Sequence, residues 1–184
     1  SDELSLVSGT EHHGGICMLV KKQRTFSLQG YLDVPRQEDC LVVLDQVNNA
    51  QNLGGVVRTC AFYGIKNVVT NQVEQLYAPA AMRVAEGGME HIRILETEST
   101  EIALEALRNK AGYQIIHVST NKQGVALEQL KFAEKVALVL SEGSTDDIRD
   151  KQDVNVRLSL SNPLKAGLNI AVNTGILLAH WYVK

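Results

Sequence analysis

From Leu41 onward the chain alternates continuous apolar runs with stretches of helical period. Residues 41–45, Leu-Val-Val-Leu-Asp, form the kind of run expected of a strand buried on both faces. A polar loop with Asn48 and Asn49 follows, then Asn52-Leu53-Gly54-Gly55. Beyond it Val56, Val57, Cys60 and Ala61 recur at helical spacing, with Arg58 between them. Further strands are predicted at residues 66–70, 91–95, 113–118, 136–140 and 153–160. Helices are predicted at 79–85, with proline in the first turn, at 100–110 and at 167–182. This alternation predicts an open, mostly parallel, Rossmann-like α/β sheet, with ligands outside the carboxyl ends of its strands.

Two local patterns carry alternatives. The loop and helix start after residue 45 present free backbone N–H groups, and Gly54 and Gly55 let a backbone approach a ligand. The same residues also fit a capped helix whose glycines serve tight packing. The last helix is apolar on more than one face, through Ile170, Val172, Ile176, Leu177, Leu178 and Trp181. It is either a dimer surface or a deep core helix.

Residues 1–39 read as a tail and lead-in, with a turn-rich segment at 8–15 and a short strand-like apolar run at 16–20. Lys21, Lys22 and Arg24 form the densest positive cluster, which is either a solvated loop or a patch for RNA phosphates. At 184 residues the chain suits one domain with a sizeable core. Its 45% hydrophobic and 21% charged residues describe an ordinary soluble protein, and no apolar run reaches membrane-span length. The polar start, Ser1-Asp2-Glu3, does not read as a signal peptide. Three cysteines without C-x-x-C spacing fit a reducing cytoplasm and argue against a metal site. A net charge of −3 gives no global basic footprint, so RNA binding requires local charge or a further domain.

Three segments that follow strand ends, 46–58, 141–148 and 161–169, together resemble the three motifs of the SpoU/TrmH family of RNA ribose 2′-O-methyltransferases. Asn52-Leu53-Gly54-Gly55-Val56-Val57-Arg58 is similar to the first motif, N-x-G-x-x-x-R. Residues 83–91 resemble the small-residue stretch after the second strand. Leu138 to Gly143 is similar to the second motif, and Leu158-Ser159-Leu160 followed by 167–172 to the third. Residues 9–16 resemble the linker from an N-terminal RNA-binding domain, so 1–39 is expected to be a lead-in and 40–184 the methyltransferase domain. The match departs from the family in places. Where the second motif usually reads Gly-x-Glu, this chain has Ser141-Glu142-Gly143, so the family glutamate is either Glu142 after a deletion or is replaced by Gly143. The third motif has Gly167 in place of serine and lacks the usual proline.

The resemblance implies a C-terminal trefoil knot, an S-adenosylmethionine cofactor held by the second and third loops, and an active site at a homodimer interface. It assigns catalytic work to Arg58, Asn52, Glu142 and Asn169. It places the cofactor against Leu140, Ser141, Gly143, Leu160, Gly167 and Leu168. RNA phosphates would meet Arg58, Lys21, Lys22, Arg24 and Arg83, with a tRNA or rRNA as substrate. A knotted domain that binds RNA or a partner without methyl transfer is the alternative. A nicotinamide-dependent oxidoreductase fits poorly, because the first loop lacks G-x-G-x-x-G.

Overall fold

A computed structural model describes residues 2–9, 11–119, 123–159, 161, 163 and 167–184. The strands are β1 (Phe26–Ser27), β2 (Asp39–Asp45), β3 (Asn67–Thr70) and β4 (Arg93–Glu96), then β5 (Gln114–Val118), β6 (Val125–Ala126), β7 (Lys135–Ser141) and β8 (Val154–Arg157). The helices are α1 (Asp2–Ser8), α2 (Leu28–Leu32), α3 (Ala50–Phe62), α4 (Val73–Leu76), α5 (Pro79–Ala85), α6 (Thr100–Glu105) and α7 (Ile170–Tyr182). A π-helical turn, Ala106–Lys110, extends α6. The strands form one parallel sheet in the order β1-β4-β3-β2-β7-β5-β8-β6.

Alternation along the two central strands builds a core on each face. Val42 and Leu44 of β2 and Leu138 and Leu140 of β7 pack with α3, α4, α5 and α7. Leu41 and Val43, with Ala137 and Val139, pack with α2 and α6. Burial on both faces is why these strands are apolar throughout rather than alternating.

β2 and β7 lie side by side in register from Asp39↔Lys135 to Asp45↔Ser141. The chain leaves β2 for β3 on one side and leaves β7 for β8 on the other. The carboxyl ends of β2 and β7 therefore flank a topological switch point, the place where open α/β sheets leave a crevice for ligands.

Several elements differ from the sequence expectation. Residues 16–20 form no strand; Ile16, Met18, Leu19 and Val20 are exposed, and the run has no neighbouring strand to pair with. Within the expected lead-in, β1 joins the sheet edge beside β4, while α2 buries Leu28 and Tyr31. α3 begins at Ala50, because the Asn49 side chain accepts the backbone N–H groups of Gln51 and Asn52. Gly54 and Gly55 thus lie inside the helix. A Cβ at Gly54 would stand 2.5 Å from the Ala81 carbonyl oxygen, and one at Gly55 2.8 Å from the Ala171 Cβ. These glycines let α3 sit tightly between α5 and α7, and the helix start is closed by Asn49 rather than left open for a ligand. The last strand ends at Arg157, short of the expected residue 160. The implied knot would involve the loop from 158 to 169, where residues 160, 162 and 164–166 lie outside the described residues.

Candidate active site

Because β2 and β7 are neighbours, the loops after them meet. The Glu142 carboxylate, one residue past β7, accepts the backbone N–H of Asn48 at 3.0 Å and of Asn49 at 3.3 Å. It also accepts the Asn52 side-chain amide at 2.5 Å. On its other side, the Asn52 Oδ1 accepts the Asn169 Nδ2 at 2.7 Å. Asn169 in turn caps α7, its Oδ1 accepting the Ala171 N–H at 2.8 Å. Asn52 therefore joins the first, second and third segments by hydrogen bonds to Glu142 and Asn169. Burial raises the Glu142 pKa, but the hydrogen bonds from Asn52, Asn48 and Asn49 outweigh it and hold the carboxyl below its ordinary value.

Arg58 lies further along α3 with its side chain 58% exposed, and its guanidinium pairs with Glu86 at 2.8 Å. Glu86 holds a left-handed backbone conformation (φ 45°) just after α5. Gly88, two residues further on, passes close to the Arg58 backbone, where a Cβ would lie 3.2 Å from the Arg58 Cα. Both partners of the ion pair are more than half exposed, so it is worth about 0–1 kcal/mol.

Of the residues expected around the cofactor, Leu140 is buried at the end of β7, and Ser141 accepts the Gly143 N–H on its hydroxyl. Gly143 and Gly167 face open space, and the Leu168 side chain is 52% exposed. Leu160 lies outside the described residues. The basic residues fall into two groups. Arg58 and Arg83 stand on α3 and α5, which pack together. Lys22 and Arg24 line a cavity beside α4, where Lys22 is engaged by Glu74 at 2.7 Å and lies over the Tyr77 ring. Lys21 is exposed near them in the chain.

Sequence reasoning missed the group behind the second segment. Asp153 accepts Arg108 Nε at 2.7 Å, Arg108 Nη2 at 2.5 Å and His117 Nε2 at 2.9 Å. The other His117 nitrogen meets the Thr145 hydroxyl at 2.8 Å, and Arg108 also donates to the Ile148 carbonyl. This set fastens the 141–153 loop to β5 and the π turn. One signal was available: His117 interrupts the apolar run Ile115-Ile116-His117-Val118, and a polar side chain buried on both faces requires partners.

Among known proteins, the model of the SpoU rRNA Methylase family matches residues 39–179. An "Uncharacterized tRNA/rRNA methyltransferase" of Haemophilus influenzae is 62% identical over 184 residues, 100% of this chain and 52% of that protein. The tRNA/rRNA methyltransferase YfiF of Escherichia coli O157:H7, also named uncharacterized, is 39% identical over 98% of this chain and 52% of its own length. The chain thus spans about half the length of these curated relatives. The crystal structure of an AdoMet-bound rRNA methyltransferase from Sinorhizobium meliloti has a TM-score of 0.75 at 21% identity, covering 98% of this chain and 68% of that one. The A. aeolicus TrmH/SpoU tRNA modifying enzyme has a TM-score of 0.69 at 22% identity, covering 85% of this chain and 83% of that one. At these identities the two structures establish the fold. With the family model covering most of the sheet and its three loop segments, this chain belongs to the SpoU rRNA methylase family.

Proposed function

We propose that this domain transfers a methyl group from S-adenosylmethionine to a ribose 2′-hydroxyl of a tRNA or rRNA. The observation that carries this reading is the Glu142–Asn52–Asn169 hydrogen-bonded chain at the switch point of the sheet. Family membership supports it, as do the relatives named tRNA/rRNA methyltransferases and a neighbour solved with AdoMet. The residues available fit the cofactor: Leu168 offers an exposed apolar side chain, and Gly143 and Gly167 present backbone with open space where a side chain would stand. When bound, S-adenosylmethionine supplies an electrophilic methyl group.

This chain's residues supply position and charge. Glu142 stays ionised at neutral pH and fixes Asn48, Asn49 and Asn52, so it fills the place of the family glutamate. Asn52 and Asn169 lock the first loop to the start of α7. Arg58 holds the phosphate beside the target ribose and stabilises the negative charge that develops on the hydroxyl oxygen as its proton passes to solvent water. A guanidinium with a pKa above about 12 does not serve as the base. Arg83 and the Lys21, Lys22 and Arg24 segment extend the phosphate contacts. The domain acts as a cytoplasmic homodimer in which Arg58 faces cofactor on the partner. The exposed Phe62, Val172, Tyr182 and Val183 at α3 and α7 supply apolar surface for that contact.

Calorimetric titration with S-adenosylmethionine tests the reading. We expect about one site per subunit and micromolar affinity, roughly −8 kcal/mol. Absence of heat and of thermal stabilisation at millimolar cofactor would instead assign a domain that binds RNA or a partner without methyl transfer.

A further inference from the structure

A cavity of about 720 Å³ opens at the carboxyl ends of β3 and β4, beside the first-motif loop and separate from the cofactor loops. Its volume falls in the range that takes a nucleotide-sized ligand. Apart from Val73 its lining is polar or charged, so it does not suit an apolar ligand. Arg24 lines it and makes no ion pair among the described residues, while Lys22 is engaged by Glu74 at 2.7 Å in an exposed pair. Arg24 is therefore the cavity cation already open to a phosphate. Glu96 ends β4 and also lines the cavity; its Oε2 accepts the Thr25 hydroxyl at 3.1 Å, which leaves Oε1 open to a donor. Gln72 and Gln75 direct their amides to the Asn48 Oδ1 at 3.1 and 3.4 Å. The N–H of the same Asn48 is held by Glu142. One residue is thus shared between the cavity wall and the proposed active site.

We propose that this cavity binds one unpaired nucleotide of the RNA strand and selects a base that carries an exocyclic amine. The inference rests on the methyltransferase reading, whose substrate strand must pass Asn48 and Asn52. An unstacked base offers its Watson–Crick edge to side chains. The free Glu96 oxygen accepts from the amine of cytosine, adenine or guanine, and repels the uracil O4 in the corresponding place. Arg24 meets the adjoining phosphate.

Fluorescence anisotropy on the intact chain tests this with single strands of about eight nucleotides, oligocytidylate against oligouridylate. Oligocytidylate is expected to bind about tenfold tighter. Glu96→Gln, which adds a donor for the uracil O4, should bring the ratio close to one. Arg24→Ala should weaken both strands alike and reduce the salt dependence. Both side chains are at the surface, and melting curves verify that each variant is folded. Equal affinity for the two strands, or a preference that Glu96→Gln leaves intact, overturns the proposal. Cytidine monophosphate binding as tightly as the strand also overturns it, in favour of a free-nucleotide site. Cofactor titration on the same preparations separates the two readings. Cofactor binding without a cytidine preference removes the cavity proposal alone. A cytidine preference without cofactor binding keeps the cavity as an RNA site and removes methyl transfer.

Discussion

Replacing Arg58 by alanine is expected to lower methyl transfer by about a hundredfold to a thousandfold, the loss typical of a preorganised electrostatic group. The loss should fall on kcat, since a group that meets developing alkoxide charge contributes most in the transition state. Cofactor affinity should stay within about twofold, because Arg58 lies more than a helical turn beyond Asn52 and, among the described residues, its ion-pair partner is Glu86 rather than a group of the cofactor loops. Freeing Glu86 carries little penalty, as an exposed pair contributes about 1 kcal/mol at most. Arg58→Lys should recover only part of the rate, because the ammonium keeps the charge and loses the planar fork. The homodimer is tested in the same assay. Mixing Arg58→Ala with Asn169→Ala protein gives mixed dimers with one complete site, which restores about a quarter of normal activity for random pairing across a two-fold interface. Activity within about threefold of the unmodified chain for Arg58→Ala would remove Arg58 from the chemistry.

Asp153→Ala is expected to destabilise the fold by about 3–5 kcal/mol, the cost of breaking a buried ion pair from one side. The Asp153 side chain is 1% exposed and that of His117 0%, so neither Arg108 nor His117 gains water in exchange for the lost carboxylate. Burial alone would raise the Asp153 pKa. Hydrogen bonds from His117, Arg108 and the Asp150 N–H, with the charge of Arg108, bring it instead to about 2, below its ordinary 3.8. A depressed pKa adds stability that is complete above 3.8 and is lost as pH falls toward 2. That contribution is on the order of 2 kcal/mol. Denaturant melts at neutral pH and near pH 2 therefore give different gaps between the two proteins, large at neutral pH and smaller in acid. A gap below about 1 kcal/mol at neutral pH would mean that the network is not holding the loop.

The long strands and the motif positions were legible because each depends on residues adjacent in sequence. The run at 41–45 and the run at 136–140 are apolar because both faces of β2 and β7 are covered. Asn52, Glu142 and Asn169 could be picked out by resemblance, but their direct bonding could not, since it depends on β2 and β7 being neighbours and on α7 packing against α3. Residues 16–20 have a strand's composition and lack a partner strand, and composition alone cannot supply one. Gly54 and Gly55 suggest an open loop in isolation, whereas the close approach of Ala81, Val84 and Ala171 turns them into helix-packing positions. The Arg108–His117–Asp153 group was hard to read because Asp153 lies 36 and 45 residues from its two partners, and the one local sign, His117 within an apolar run, does not say which residues satisfy it. β1 and β6, at two residues each, are too short to carry a period.

Nucleoside mass spectrometry after incubating this chain with S-adenosylmethionine and bulk tRNA and rRNA tests the central claim most directly. The RNA should come from cells lacking the gene for the protein. The account predicts a new 2′-O-methylnucleoside that is absent when Arg58→Ala protein is used. Methylation of a base instead of a ribose, or no transfer to any RNA by protein that has bound its cofactor, would contradict it.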